Sequence, residues 1–206
     1  MGRIVVQEFM TLDGVVQGGG GPDEDREGGF DQGGWAMDYD TAHDEADEGG
    51  PVIREWESRI DALLLGRKTY DIWAGAWGVW EEDAEGLMGE LTRRYNRVPK
   101  HVASRTATQL AWKNSHLLGE NVPAAVARLR DEPGGEIRVW GSTELVRTLA
   151  EHDLVDEYRL LVYPIVLGTG KKLFPDGFPR STLALADSRV LGSGVVISTY
   201  RRRERT

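Results

Sequence analysis

The 206-residue chain contains no cysteine, which excludes disulfide bonds, zinc sites built on thiolates and cysteine nucleophiles. It also has no long hydrophobic run: the first apolar segment, Ile4–Val6, is too short for a signal peptide, and no segment approaches the ~18 apolar residues of a membrane span. A net charge of −9 and a pI near 5.0 argue against nucleic acid as a partner. We therefore expect a soluble, cytoplasmic protein that binds neither membranes nor nucleic acid.

Several common functional motifs are missing as well. There is no Gly-x-Ser-x-Gly nucleophile elbow, no Gly-x-Gly-x-x-Gly turn and no eight-residue phosphate-binding loop. The histidines are scattered along the chain without the spacing of metal ligands, so we predict no metal site. They are His43, His101, His116 and His152.

Residues 18–50 differ from the rest of the chain in composition. They hold eleven acidic side chains against one basic side chain, and ten of the 26 glycines, which disfavours a packed segment. Phe30 and Trp35 are nevertheless large apolar groups that a plain linker would lack. Two interpretations stay open: a partly ordered loop that lies over the domain, and a solvated insertion without a role. Within this segment, Thr41–Glu48 is predicted to form a short helix that Gly49-Gly50-Pro51 breaks.

Outside this acidic loop, strand and helix patterns alternate along the chain. The short apolar run Ala62–Leu65 is typical of a strand buried on both faces. Strands joined through helices indicate a parallel sheet, whereas Leu191–Gly194 joins Leu183–Val190 to Val195–Tyr200 as an antiparallel hairpin. The sequence therefore predicts one α/β domain over residues 1–206, with three α/β/α layers around a mostly parallel sheet of about eight strands.

Three of the predicted strands end in polar turns: Gly66–Thr69, Ser104–Thr106 and Gly141–Glu144. In such sheets ligands bind at the carboxyl ends of the strands. Free N–H groups at a helix N-terminus favour phosphate, and arginine with serine suits a terminal phosphate monoester. Together the turns indicate a dinucleotide, and a 2′-phosphate indicates NADP rather than NAD. Each turn taken alone is a weak signal, because Gly66–Thr69 is more often an ordinary junction between a strand and a helix, and Gly141-Ser142 is more often a plain helix N-cap.

The order and spacing of these segments resemble the dihydrofolate-reductase-like superfamily. The more similar branch contains the C-terminal reductase domain of the bifunctional deaminase/reductase of riboflavin biosynthesis. No zinc-binding deaminase motif is present, so the deaminase half of that enzyme is missing. The segments that carry the resemblance are Thr11–Gly14, Leu64–Tyr70, Lys100–Ser104, Val139–Ser142, Leu154–Tyr158 and Tyr163–Phe174.

The resemblance implies that NADPH binds across the sheet. By analogy, Gly66–Thr69 hold the diphosphate and adenosine-phosphate side, Gly141–Glu144 supply backbone contacts, and the turn Met10–Gly14 lies beside the nicotinamide. Ser104 and Arg105 would face the 2′-phosphate. The residues thus expected to contact the cofactor are Thr11, Gly66, Arg67, Lys68, Thr69, Ser104, Arg105, Gly141, Ser142, Thr143 and Glu144.

Catalysis and substrate binding rest on fewer residues. Asp13 is the candidate catalytic residue, as a proton donor or substrate clamp beside the nicotinamide, although an Asp-Gly pair also simply forms turns. Acidic residues of the loop are alternatives, namely Asp38, Asp40 and Asp44. The predicted substrate contacts are Trp35, which with Phe30 could cover a flat heterocycle, and Gly168, Gly170 and Lys172, which could contact a substrate phosphate.

The favoured function is an NADPH-dependent reductase of a small nitrogen heterocycle, either an aminopyrimidine precursor of riboflavin or a pterin. A true dihydrofolate reductase and a non-catalytic NADP(H)-binding protein are the alternatives. Family members commonly dimerise, so a homodimer is expected. Four tryptophans close in sequence are predicted to lie in the core or, where exposed, on a dimer surface: Trp56, Trp73, Trp77 and Trp80.

Overall fold

A computed structural model describes residues 1–39, 49–106 and 109–203. Its centre is an eight-stranded sheet with the order β4-β3-β2-β5-β1-β6-β8-β7. All neighbouring strands are parallel except β8, which runs antiparallel to β6 and β7. The predicted parallel sheet with a C-terminal antiparallel hairpin is confirmed. The strands are β1 (Arg3–Thr11), β2 (Ile60–Gly66), β3 (Lys100–Ala103), β4 (Ser115–Leu117), β5 (Glu136–Trp140), β6 (Glu157–Tyr163), β7 (Leu183–Val190) and β8 (Val196–Arg202).

Helices cover both faces of the sheet. Since side chains alternate between the two faces along each strand, one strand packs against helices on both sides. In β2, Leu63 and Leu65 pack with helices α1 to α3, whereas Ala62 and Leu64 pack with α4 and α5. This arrangement confirms the predicted three-layer, dihydrofolate-reductase-like fold. The helices are α1 (Gly49–Ser58), α2 (Arg67–Ala76), α3 (Gly86–Arg97), α4 (Val122–Asp131) and α5 (Thr143–Glu151).

A buried network of ion pairs joins α1 to the centre of the sheet. The guanidinium of Arg138 lies between the carboxylates of Glu57 and Glu136, at 3.1 and 2.5 Å. Arg159 in turn pairs with Glu136 and Glu157, each at 2.7 Å. Each of these three buried carboxylates therefore has an arginine partner, which offsets the desolvation of its charge.

The acidic segment is packed onto the domain over its described part, residues 18–39. Phe30 and Trp35 are only 6% and 4% exposed and belong to the core on the α1–α3 face. The indole Nε1 of Trp35 donates to the carbonyl of Gln17 at 2.8 Å, and its ring lies 5.3 Å from that of Tyr163. The interpretation of a solvated insertion is wrong for these residues, because a solvated segment would expose both aromatic rings.

The end of the acidic segment differs from the sequence prediction. The predicted helix Thr41–Glu48 lies outside the described residues. The break expected at Gly49-Gly50-Pro51 is wrong, because α1 begins at Gly49 and continues through all three residues. Proline is tolerated in the first turn of a helix, where its missing N–H has no partner to lose. Among the described residues, no helix is long and apolar enough to cross a membrane.

Candidate active site

A large cleft opens at the carboxyl ends of β1, β2 and β5. Here the helices that follow neighbouring strands lie on opposite faces of the sheet. Helix α2, which follows β2, covers one face, whereas α5, which follows the neighbouring β5, covers the other. Ligands of α/β sheets bind at such a switch point. The cleft has a volume of about 2610 Å³, well above the ~300–1,000 Å³ of an ordinary ligand pocket. It therefore has room for a dinucleotide and a second small molecule.

Most of the predicted site residues line this one cleft. Those that do are Asp13, Gly66, Arg67, Lys68, Thr69, Ser104, Arg105, Gly141, Ser142, Thr143, Glu144, Gly170 and Lys172. Three predicted residues lie elsewhere. Trp35 is buried in the core, Thr11 accepts the Val15 N–H at 2.9 Å beneath the turn, and the Gly168 N–H donates to Asp13 at 2.9 Å. The sequence predicts a cofactor contact for Thr11 and substrate contacts for Gly168 and Trp35. In the folded protein all three instead form hydrogen bonds that hold loops together.

The turns after β2 and β5 are joined to each other through two hydroxyl groups. The Ser142 hydroxyl accepts the Gly66 N–H and donates to the Trp140 carbonyl, both at 2.9 Å, and the Ser142 N–H donates to the Thr69 hydroxyl at 3.0 Å. Gly141 has a φ of +53°, and a Cβ at this position would lie 2.9 Å from the Thr69 hydroxyl. A glycine is therefore favoured here, and hydrogen bonds join the two turns into one unit.

This unit presents groups that suit the phosphates of a dinucleotide. Among the described residues, no side chain caps the N-terminus of α2 or α5, so their first N–H groups, which belong to residues that line the cleft, have no side-chain partner. The Nε of Arg67 pairs with Asp71 at 2.8 Å, while its buried Nη1 has no hydrogen-bond partner within the described chain. Orphan N–H groups and a free guanidinium nitrogen fit anionic oxygens. The residues present therefore fit the expected cofactor.

Asp13 is held as a carboxylate that joins two loops. It accepts the Thr11 hydroxyl at 2.6 Å and the N–H groups of Gly168 and Leu167 at 2.9 and 3.3 Å. The Thr11 hydroxyl first, and then these backbone donors, lower the pKa of Asp13. A carboxyl with a lowered pKa is a poor proton donor near neutral pH. The geometry therefore supports the turn-forming alternative for Asp13 and not the role of proton donor.

The acidic segment supplies negative charge to the same cleft. Glu27 makes ion pairs with Lys68 and Lys171, and Asp25 pairs with Lys171 at 2.6 Å. The hydrogen bonds from Lys171 and Lys68 lower the pKa of Glu27 to about 2. Lys68, predicted to contact the cofactor, is thus already paired with a carboxylate. Arg105 and Lys172 make no ion pair with any residue that the structure describes, and so remain available to an anionic ligand.

Aromatic side chains form one continuous wall on the α1–α3 side of the cleft. The rings of Phe9 and Trp140 lie 5.4 Å apart, Trp140 and Trp73 5.9 Å, Trp73 and Trp77 5.8 Å, and Trp77 and Trp80 4.7 Å. All five rings line the cleft. We call these five residues the aromatic wall. Sequence reasoning assigned Trp73, Trp77 and Trp80 to the core or a dimer surface. Trp73 does belong to the core, at 9% exposed, whereas Trp80 is 44% exposed, and all three also line the cleft.

The family to which the chain belongs follows from comparison with known proteins. A family model described as the RibD C-terminal domain matches residues 3–197. The chain belongs to the RibD C-terminal domain family. The resemblance expected from the sequence motifs is thereby confirmed.

Two relatives of this RibD C-terminal domain protein come from Bacillus subtilis (strain 168). The protein YyaP is 31% identical over 199 residues, covering 96% of this chain and 94% of YyaP, and it is described as uncharacterized. YwjB, also described as uncharacterized, is 26% identical over 156 residues, covering 75% of this chain and 81% of YwjB.

Solved structures agree on the fold. A putative riboflavin biosynthesis protein from Shewanella sp. PV-4 has a TM-score of 0.67 and 21% identity, covering 98% of this chain and 99% of that one. A pyrimidine reductase-like protein from Corynebacterium diphtheriae has a TM-score of 0.57 and 12% identity, covering 98% and 92%. Dihydrofolate reductase from Enterococcus faecalis, complexed with NADP(H), has a TM-score of 0.56 and 12% identity, covering 98% and 97%.

In this family member, Glu8 is a buried carboxyl of the cleft that sequence reasoning missed. It lies on β1, lines the cleft and is 3% exposed. Burial raises the pKa of Glu8 well above its usual value, the Gly141 N–H opposes that effect, and the charge of Glu24 adds to it. The sequence signal that could have revealed Glu8 is an acidic residue inside a buried strand. Of the alternative acids, Asp38 is exposed, and Asp40 and Asp44 lie outside the described residues.

Proposed function

We propose that the protein is an NADPH-dependent reductase that acts on a small, flat nitrogen heterocycle. One observation carries the proposal: a single cleft has turns with uncapped helix N-termini after β2 and β5 and, on its α1–α3 side, the aromatic wall. Phosphate donors suit the diphosphate of a dinucleotide, and aromatic faces suit a planar ring. The family and the fold support a reductase rather than a hydrolase.

The chain's own residues would bind, orient and shield the reactants. The N–H groups at the starts of α2 and α5, with the free Nη1 of Arg67, would hold the diphosphate. Ser104 and Arg105, at the end of β3, would hold a 2′-phosphate. The aromatic wall would stack on the heterocycle and exclude water from it. When bound, NADPH supplies a hydride, and the protein supplies position.

The decisive test is a titration of the protein with NADPH and, separately, NADH, followed through energy transfer from its seven tryptophans. We expect NADPH to bind far more tightly than NADH. Replacing Arg105 with alanine should weaken NADPH binding by about 10- to 150-fold, equivalent to the ~1.5–3 kcal/mol of a hydrogen bond to a charged group, and leave NADH binding unchanged. Arg189→Ala is the matched control, because Arg189 is exposed on β7, outside the cleft.

The results separate the proposed function from its alternatives. An equal loss of NADPH and NADH binding in Arg105→Ala would refute the 2′-phosphate assignment. Binding of NADPH followed by its oxidation in the presence of an aminopyrimidine or a pterin would support the reductase. Rapid turnover of dihydrofolate would instead identify a dihydrofolate reductase, and tight binding without oxidation by any heterocycle would identify a binding protein. Binding of neither cofactor would end the proposal.

A further inference from the structure

Glu8 lies at the carboxyl end of the central strand β1, beside the turn that begins α5. Along β1, the side chains of Ile4, Val6 and Met10 pack on the α4–α5 face, so the alternation of the strand places Glu8 on that face too. There the backbone of Gly141 lies close enough to the Glu8 carboxyl to lower its pKa, although burial outweighs that effect. The side chain is buried and yet borders the cleft.

One carboxyl oxygen of Glu8, Oε1, has no hydrogen-bond partner among the described residues. Nor does any lysine or arginine of the described chain form an ion pair with it, in contrast to the buried carboxylates of Glu57, Glu136 and Glu157, each of which has an arginine. A buried carboxylate without a counter-charge is costly, and a protein normally resolves this by protonating the group.

The charges around Glu8 also favour its protonated form. Glu24, on the acidic segment, is the charged group that acts on Glu8, and its negative charge disfavours a second carboxylate. Burial also raises the pKa of Glu24, whose carboxyl accepts the Gly20 N–H at 2.6 Å. Other charged residues border the cleft on the elements packed around β1, namely Glu144 and Arg147 on α5, and Lys171 and Lys172 after β6. None of them is among the groups that change the pKa of Glu8.

We propose that Glu8 is an uncharged carboxylic acid whose free O–H donates a hydrogen bond to an acceptor atom of the bound dinucleotide. The identity of the ligand rests on the proposed function, whereas the protonation state of Glu8 does not. Glu8 is then a positioning residue, whose unpaired oxygen gains a hydrogen-bond partner only when an acceptor arrives. Once ionised, Glu8 would repel the phosphates of the ligand and lose its donor.

The binding test compares the dissociation constant of NADPH from about pH 6 to pH 9 in the natural protein, Glu8→Gln and Glu24→Gln. Glutamine keeps the shape and a donor but has no charge. We expect Glu8→Gln to bind within about threefold of the natural protein at low pH. The natural protein should lose about tenfold or more as Glu8 ionises, and Glu8→Gln should not. Glu24→Gln should shift this loss to lower pH, because it removes a negative neighbour.

An infrared measurement keeps the proposal testable without NADPH. The ligand-free natural protein minus Glu8→Gln should show the carbonyl stretch of a neutral carboxylic acid, and the same band in the natural protein should disappear as pH rises. Absence of the band, or identical pH profiles of NADPH binding in the two proteins across the pH range in which the band disappears, would overturn the proposal. If the band is present but no NADPH binds at any pH, the assignment of Glu8 as a neutral acid stands and the proposed cofactor function fails.

Discussion

Removing the hydroxyl of Ser142 tests whether it joins the turns after β2 and β5. Ser142→Ala deletes the bonds to the Gly66 N–H and the Trp140 carbonyl, both 2.9 Å long. Leaving such partly buried backbone groups unpaired should lower the free energy of unfolding by roughly 1–3 kcal/mol. Ser142 also has a left-handed φ of 57°, a conformation that costs a non-glycine residue about 1 kcal/mol. Ser142→Gly should therefore be less destabilising than Ser142→Ala.

The assay is urea unfolding followed by tryptophan fluorescence, with NADPH affinity measured on each folded variant. Ser193→Ala is the matched control, because Ser193 is exposed in the β7–β8 turn and should change stability by no more than about 0.5 kcal/mol. We expect both Ser142 variants to weaken NADPH binding, since only the bond from the Ser142 N–H to the Thr69 hydroxyl would still join the two turns. The reasoning is refuted if Ser142→Ala is as stable as the natural protein, or if glycine is more destabilising than alanine.

Two further predictions concern charge. Although burial alone would raise it, the ion pairs with Arg159, Arg138 and Arg3 lower the pKa of Glu136 to about 2. The stability that Glu136 contributes should thus be complete above ~4.3, its pKa in the unfolded chain, and be lost as pH falls towards 2. The free energy of unfolding of Glu136→Gln should therefore fall less steeply with pH in that range than that of the natural protein. Equal slopes for the two proteins would contradict this. Glu27→Gln should free Lys68, leave Lys171 paired only with Asp25, and so tighten NADPH binding at low salt. Asp187→Asn is the control, because Asp187 is exposed on β7, outside the cleft. Weaker binding would show that Glu27 does not compete with the ligand.

Local sequence patterns predicted those strands and helices whose limits depend on residues close together in the chain. The predicted strand Leu183–Val190 has the limits of β7, because a glycine-containing turn follows it. The apolar pair Leu154-Val155 precedes β6, which begins only at Glu157. Leu154 and Val155 are buried but lie in the connection from α5, and an apolar run reports burial without reporting which backbone groups pair.

The sequence by itself also determined that the three polar turns would meet, since turns that follow parallel strands lie at one edge of the sheet. Only the tertiary structure decided what individual polar groups do there. Asp13 is fixed by the N–H of Gly168, 155 residues away, and Glu8 lies beside Gly141 from a different strand. The charge state of a carboxyl depends on its burial and on its neighbours in space. Those neighbours come from distant parts of the chain, so no local pattern could distinguish a clamped carboxylate from a buried acid.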